Sequence, residues 1–164
     1  MFRTSSLFIF HGWPMFAFEP GLLGPNLERI GKSLSDLMGI VVVSAHWQTR
    51  GLRISGASAP ETIHDFGGFP APLYALQYPA WGAPHIASQA LDLLQAAAFD
   101  AAIDARRGLD HGAWVPLRYL KPAADVPVLQ ISVPRTSIRP ARYGSGRRWR
   151  GCVRTACWSS ALAA

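Results

Sequence analysis

Apolar positions along this chain follow two rhythms. Residues 7–10, 40–43 and 126–133 are short, nearly unbroken apolar runs, the pattern of strands covered on both faces. Residues 52–55 and 101–104 are shorter candidates of the same kind. Elsewhere the spacing lengthens to three and four. Leu27, Ile30, Leu34, Leu37 and Met38 predict a helix over 26–38, with Asn26 as N-cap, Glu28 in the first turn and Gly39 as the stop. Ile86, Ala90, Leu91, Leu93 and Leu94 predict a second helix over 84–98, and residues 115–120 a short helical turn. Residues 62–70 and 74–81 fit neither period and read as loops. Strand, helix, strand in succession is a βαβ unit with a right-handed crossover. Four or five strands interleaved with helices predict an α/β fold, a three-layer αβα sandwich around a mostly parallel central sheet.

The polar residues that interrupt this pattern are unevenly placed. Two apolar runs end on a histidine: 7–10 leads into His11-Gly12, and 40–43 continues through Ser44-Ala45 to His46-Trp47. Ligands of open α/β sheets bind beyond the carboxyl ends of the strands. A histidine there can ligate a metal, move a proton, or simply cap a strand. If the two strands are neighbours in one parallel sheet, the two imidazoles are close in space. A third histidine, His64, lies in Thr62-Ile63-His64-Asp65-Phe66-Gly67-Gly68-Phe69-Pro70, where aromatics beside a Gly-Gly pair suit the wall of a small-molecule pocket. A fourth, His111, lies in Gly108-Leu109-Asp110-His111-Gly112-Ala113-Trp114. It is a candidate acid/base group, with Asp110 either orienting it or capping the helix that follows. His85 stands apart from other ligand-type residues and reads as solvent-facing. Two imidazoles from adjacent strands suit one divalent metal, Zn(II) or Fe(II), with open positions for substrate and O2 or water.

Charge alters this picture only at one end. The 164 residues carry a net charge of +6, enough chain for one domain with a core and enough charge to raise the question of nucleic acid. All ten acidic residues lie at or before Asp125, against nine Lys/Arg up to Ser132, so the body is close to neutral. From Val133 onward there are seven Arg, no Lys and no acid, and both cysteines, Cys152 and Cys157. The basicity belongs to this tail, which argues against a nucleic-acid-binding body. No stretch approaches the ~20 apolar residues of a membrane span. The four-residue apolar run near the start is far shorter than a signal-peptide core, so the expected location is cytoplasmic.

The motifs His11-Gly12-x-Pro14-Met15, Ser44-Ala45-His46-Trp47, residues 62–70 and residues 108–114, in that order, resemble the class III extradiol ring-cleavage dioxygenases, most closely the 4,5-DOPA extradiol dioxygenase branch. The resemblance spans about residues 7–133. It implies that His11 and His46 are metal ligands and that His111 is the acid/base group for a catechol hydroxyl. It also implies that His64, Asp65, Phe66 and Trp47 border the substrate. The implied cofactor is one divalent metal, Fe(II) or Zn(II). The implied substrates are a small aromatic diol and O2, and oligomeric state is left open. Trp13 departs from the family pattern, which usually has a small residue there.

The resemblance stops where the composition changes. Taking the third base of each codon with the first two of the next, and G or C at most free third positions, residues 145 to about 162 read Leu-Gly-x-Ala-Leu-Ala-Arg-Leu-Arg-Thr-Asp-Gly-Val-Leu-Val-Ile-Gly-Ser-Gly. That is an amphipathic helix, an Asp-Gly turn and a buried strand, the kind of segment family members carry here. The expectation is therefore an N-terminal part of the catalytic domain over 1–133. An out-of-frame, disordered basic tail over 134–164 would follow, with the C-terminal part of the fold and its further metal ligands missing.

Overall fold

The structure, a computed structural model, describes residues 6–10, 13–135 and the backbone of a strand at 156–159. Six strands form one sheet: β1 (Ser6–Phe8), β2 (Ile40–Thr49), β3 (Leu52–Ser55), β4 (Ala101–Asp104), β5 (Val128–Pro134) and β6 (Ala156–Ser159). Their order is β1-β6-β2-β5-β3-β4. All pairings are parallel except β3 with β5, so the sheet is mixed and mostly parallel. Among the described residues four helices accompany it: α1 (Leu23–Ser33), α2 (Ala71–Tyr74), α3 (Pro84–Ala96) and α4 (His111–Leu120), with a 3-10 turn at Pro14–Ala17.

Strand periodicity sorts the central side chains into two cores. Ile40, Val42 and Val128 point to one face and pack with Leu27 of α1 and Ala113, Trp114, Val115, Leu117 and Leu120 of α4. Val41, Leu129 and Ile131 point to the other, against Ile86, Ala87, Ala90 and Leu94 of α3. With helices on both faces, the αβα sandwich is the observed architecture. No helix among the described residues is long and apolar enough to cross a membrane.

Several boundaries differ from the sequence expectation. The first helix begins at Leu23 and ends at Ser33 rather than running to Met38. Asn26 lies inside it, donating its side-chain N–H to Leu22 O at 2.9 Å, and is not the cap. Lys121 Nζ donates to the carbonyls of Gly31 and Leu34 at 2.8 and 2.7 Å, closing the helix end from outside. Beyond that point Asp36 takes positive φ and Met38 is exposed. The sequence left open whether the strands leading to His11 and His46 are neighbours; β6 lies between β1 and β2. Apart from this strand, the tail expected to lack order lies outside the described residues. Between them, β1 and β2 offer hydrogen-bonding edges to residues 156–159 on both sides.

Candidate active site

The site is built at the carboxyl end of β2 and the first turn of α4. The loop 61–65 is zipped onto the chain preceding α4. Ile63 N–H donates to Leu109 O and Leu109 N–H to Glu61 O, both at 2.8 Å. Trp114, fully buried, donates its indole N–H to Ile63 O at 2.9 Å, and Tyr78 N–H donates to Thr62 Oγ1 at 2.9 Å. Burial raises the pKa of the Tyr78 hydroxyl, which donates to Lys121 O at 2.8 Å. This lacing delivers Asp65 to His111.

Asp65 Oδ1 accepts two hydrogen bonds from His111, from the backbone N–H at 2.9 Å and from ring Nδ1 at 2.8 Å. Burial pushes the Asp65 carboxyl up, but the hydrogen bonds from the His111 side chain and backbone outweigh it and hold its pKa below the usual value. An ionised carboxylate only accepts, so Nδ1 carries the proton and Nε2 carries the lone pair of the neutral ring. The His46 ring lies 4.0 Å from that of His111, centroid to centroid. Burial, and then the neighbouring His111, lower the His46 pKa, favouring the neutral, lone-pair-bearing form. One ligand atom from each of His46, Asp65 and His111 lies within 4.8 Å of the others. Two imidazoles and a carboxylate in that space are a donor set that fits a divalent transition metal.

Beneath these rings is a buried polar layer. The Asp110 carboxylate, with no solvent exposure, accepts from Ser44 Oγ at 2.7 Å, from Arg107 at 2.9 Å and from the side-chain amide of Gln130. Asp110 therefore neither orients the His111 ring nor caps α4 with its side chain; both roles fall to Asp65.

The other expected site residues divide. Phe66 stands edge-on to His111, centroids 5.6 Å apart, and continues through Phe69 to Trp13. This makes an apolar wall beside the rings. His64 has its Nε2 3.0 Å from Leu76 O and packs among Phe66, Tyr74 and Trp114, inside the loop's aromatic cluster. Trp47 is buried, with the Arg107 guanidinium 4.9 Å over its ring, so it meets the site through Arg107 and Asp110. His11 lies outside the described residues. Ser44, Arg107 and Gln130 escaped the sequence reading. Gln130 alone left a signal, as a polar residue in the middle of an apolar strand.

Gly112 lets the two halves meet. A Cβ there would fall 2.6 Å from His46 Cδ2 and 2.8 Å from Ser44 Oγ. Gly112→Ala is expected to cost about 1–3 kcal/mol of stability through overpacking and to push the two rings apart. Chemical denaturation of both proteins checks this; equal midpoints and slopes would contradict it.

A profile of the catalytic LigB subunit of aromatic ring-opening dioxygenases matches residues 25–145. The chain belongs to the LigB family of class III extradiol dioxygenases. Within it, the relatives place the chain in the 4,5-DOPA dioxygenase branch. It is 40% identical over 147 residues to a 4,5-DOPA dioxygenase extradiol of Escherichia coli K12, covering 89% of this chain and 54% of that protein. It is 42% identical over 134 residues to the 4,5-DOPA dioxygenase extradiol of Beta vulgaris, covering 78% and 49%. The crystal structure of an uncharacterized Escherichia coli K12 protein superposes with a TM-score of 0.71 at 28% identity, covering 96% of this chain and 59% of that one. This LigB-family chain thus spans about half the length of the curated relatives it matches.

Proposed function

We propose that the whole protein is a non-haem, metal-dependent extradiol dioxygenase that opens the ring of a DOPA-like catechol with O2. The observation that carries this reading is the His46–His111 pair, rings 4.0 Å apart, with Asp65 fixing the proton on His111 Nδ1. His46, with His11, holds the metal. His111 takes the proton of a diol hydroxyl on Nε2. Its ring is kept in place by Asp65 and the edge of Phe66, and Asp65 stabilises the imidazolium that forms. The wall of Phe66, Phe69 and Trp13 offers apolar surface to a flat aromatic ring, and Trp13 narrows it on one side. Fe(II) supplies electron exchange with O2, which Zn(II), lacking redox chemistry, does not. We read the protein as cytoplasmic.

The test is O2 uptake by the in-frame, Fe(II)-loaded protein with a series of catechols. Uptake equal to diol consumption is expected. No uptake with any catechol, from protein that holds Fe(II), would reject the reading.

We also propose that residues 1–133 are the N-terminal part of the catalytic domain and that residues 134–164 are read out of frame. The shift is taken to fall between codons 133 and 145, where the composition turns arginine-rich and acid-free. The shifted reading places Val-Leu-Val-Ile over the codons of Ala156 to Ser160. Those residues include β6, a central slot flanked by β1 and β2. Central parallel strands are β-branched and apolar; Val-Leu-Val-Ile meets that demand and Ala-Cys-Trp-Ser meets it poorly. A second reading is that the chain as written is an inactive form of that enzyme, because an out-of-frame segment would occupy the β6 slot.

A further inference from the structure

Gln130 sits at the middle of β5 between Leu129 and Ile131, with no solvent exposure. An amide in a central strand is costly unless each polar atom is satisfied. Here the backbone N–H of Gln130 donates to Ser55 Oγ at 2.8 Å. Its side-chain oxygen accepts from the Asp110 backbone N–H at 3.3 Å, and its side-chain nitrogen donates to the Asp110 carboxylate. One residue thus grips both the main chain and the side chain of Asp110. Only an amide supplies one acceptor and one donor in that arrangement. A leucine supplies neither, and a glutamate would set a second carboxylate against the first.

The grip leads to both histidines. Asp110 immediately precedes His111, and its other carboxylate oxygen accepts from Ser44 Oγ. Ser44 Oγ in turn accepts the backbone N–H of His46 at 3.2 Å. Arg107 ties the same carboxylate to the chain before α4. A single buried carboxylate, held by β5, therefore fixes the end of β2 and the start of α4 against each other.

We propose that Gln130 is a positioning residue which, through Asp110 and Ser44, sets the separation and tilt of the His46 and His111 rings. This rests on the metal-site reading above only for one of its two readouts. Outer-shell partners of metal-binding side chains are worth about 10- to 100-fold in affinity. The effect of Gln130 on the two rings travels through the hydrogen bonds of Asp110 and Ser44.

The test uses the in-frame protein with three substitutions: Gln130→Leu, Gln130→Glu and, as a control for general loosening of the same strand face, Val128→Ala. The first readout is the 15N–1H imidazole spectrum of His46 and His111. The second is Zn(II) affinity by calorimetry. Both Gln130 variants are expected to shift the His46 and His111 ring signals together and to weaken Zn(II) about 10- to 100-fold. Val128→Ala is expected to lower the melting temperature and leave both readouts unchanged. Unmoved ring signals in a folded Gln130 variant, or equal shifts in Val128→Ala, would overturn the proposal. If neither Gln130 variant folds, Ser44→Ala breaks the same line by one oxygen atom. Unmoved His46 signals there would overturn it equally. Failure of the unsubstituted chain to bind Zn(II) would count against the metal reading alone, and the ring signals would still decide positioning.

Discussion

Replacing His46 with alanine will strip the in-frame protein of its metal, whereas replacing His111 with glutamine will leave the metal in place and stop the chemistry. The two rings are in contact, so the contrast rests on what each is tied to. His46 lies in β2 (Ile40–Thr49) between Val43 and Gln48, where the pairing with β5 shifts register, and burial and His111 lower its pKa. Its neutral ring is a ready ligand. His111 is held by Asp65 through Nδ1, the arrangement that prepares Nε2 to accept a proton. Loss of a general acid/base group costs roughly 10²–10⁴-fold in turnover. Elemental analysis of both variants, with single-turnover ring cleavage for His111→Gln, checks the pair. If His111→Gln loses metal as completely as His46→Ala, then His111 is itself a ligand. The cluster His46, Asp65 and His111, whose ligand atoms lie within 4.8 Å, would then be the metal centre.

Much of this arrangement was legible in the sequence, and the departures have physical causes. Apolar runs located β2 and β5 because central strands admit few polar side chains, and period alone placed α3 and β4. The end of α1 was not legible because a distant lysine, Lys121, supplies its final contacts. The sequence left Asp110 either orienting His111 or capping the helix that follows. Adjacency along the chain suggested the pairing, but Ser44, Arg107 and Gln130 draw that carboxylate inward. Asp65, 46 residues away, takes its place through the lacing of loop 61–65 to Leu109. His64 illustrates the opposite case. Its motif is distinctive, yet its ring is occupied within the loop's own aromatic cluster and the Leu76 carbonyl. Gly112 could be noticed as a glycine, but only the approach of α4 to β2 explains why a side chain there would collide.

If residues 134–164 are read out of frame, as proposed, restoring the frame is expected to raise the melting temperature and the metal affinity of the chain. The chain as written presents Ala156, Cys157, Trp158 and Ser159 to the slot between β1 and β2. The shifted reading presents Val, Leu, Val and Ile. Each branched side chain fully buried contributes about 1.5–3 kcal/mol over leaving it exposed. Even half of that gain across the slot corresponds to a rise of roughly 10 °C in melting temperature for a domain of this size. The same edit replaces an arginine-rich, acid-free segment with an amphipathic helix. Metal binding and ring cleavage are expected together in the in-frame protein, and the chain as written is expected to show neither at a useful level. Sequencing codons 133–145 and melting both versions side by side checks the argument. An intact frame there, or robust catechol turnover by the chain as written with Fe(II), would sink it. Either result would turn attention back to the arginine tail as a functional segment.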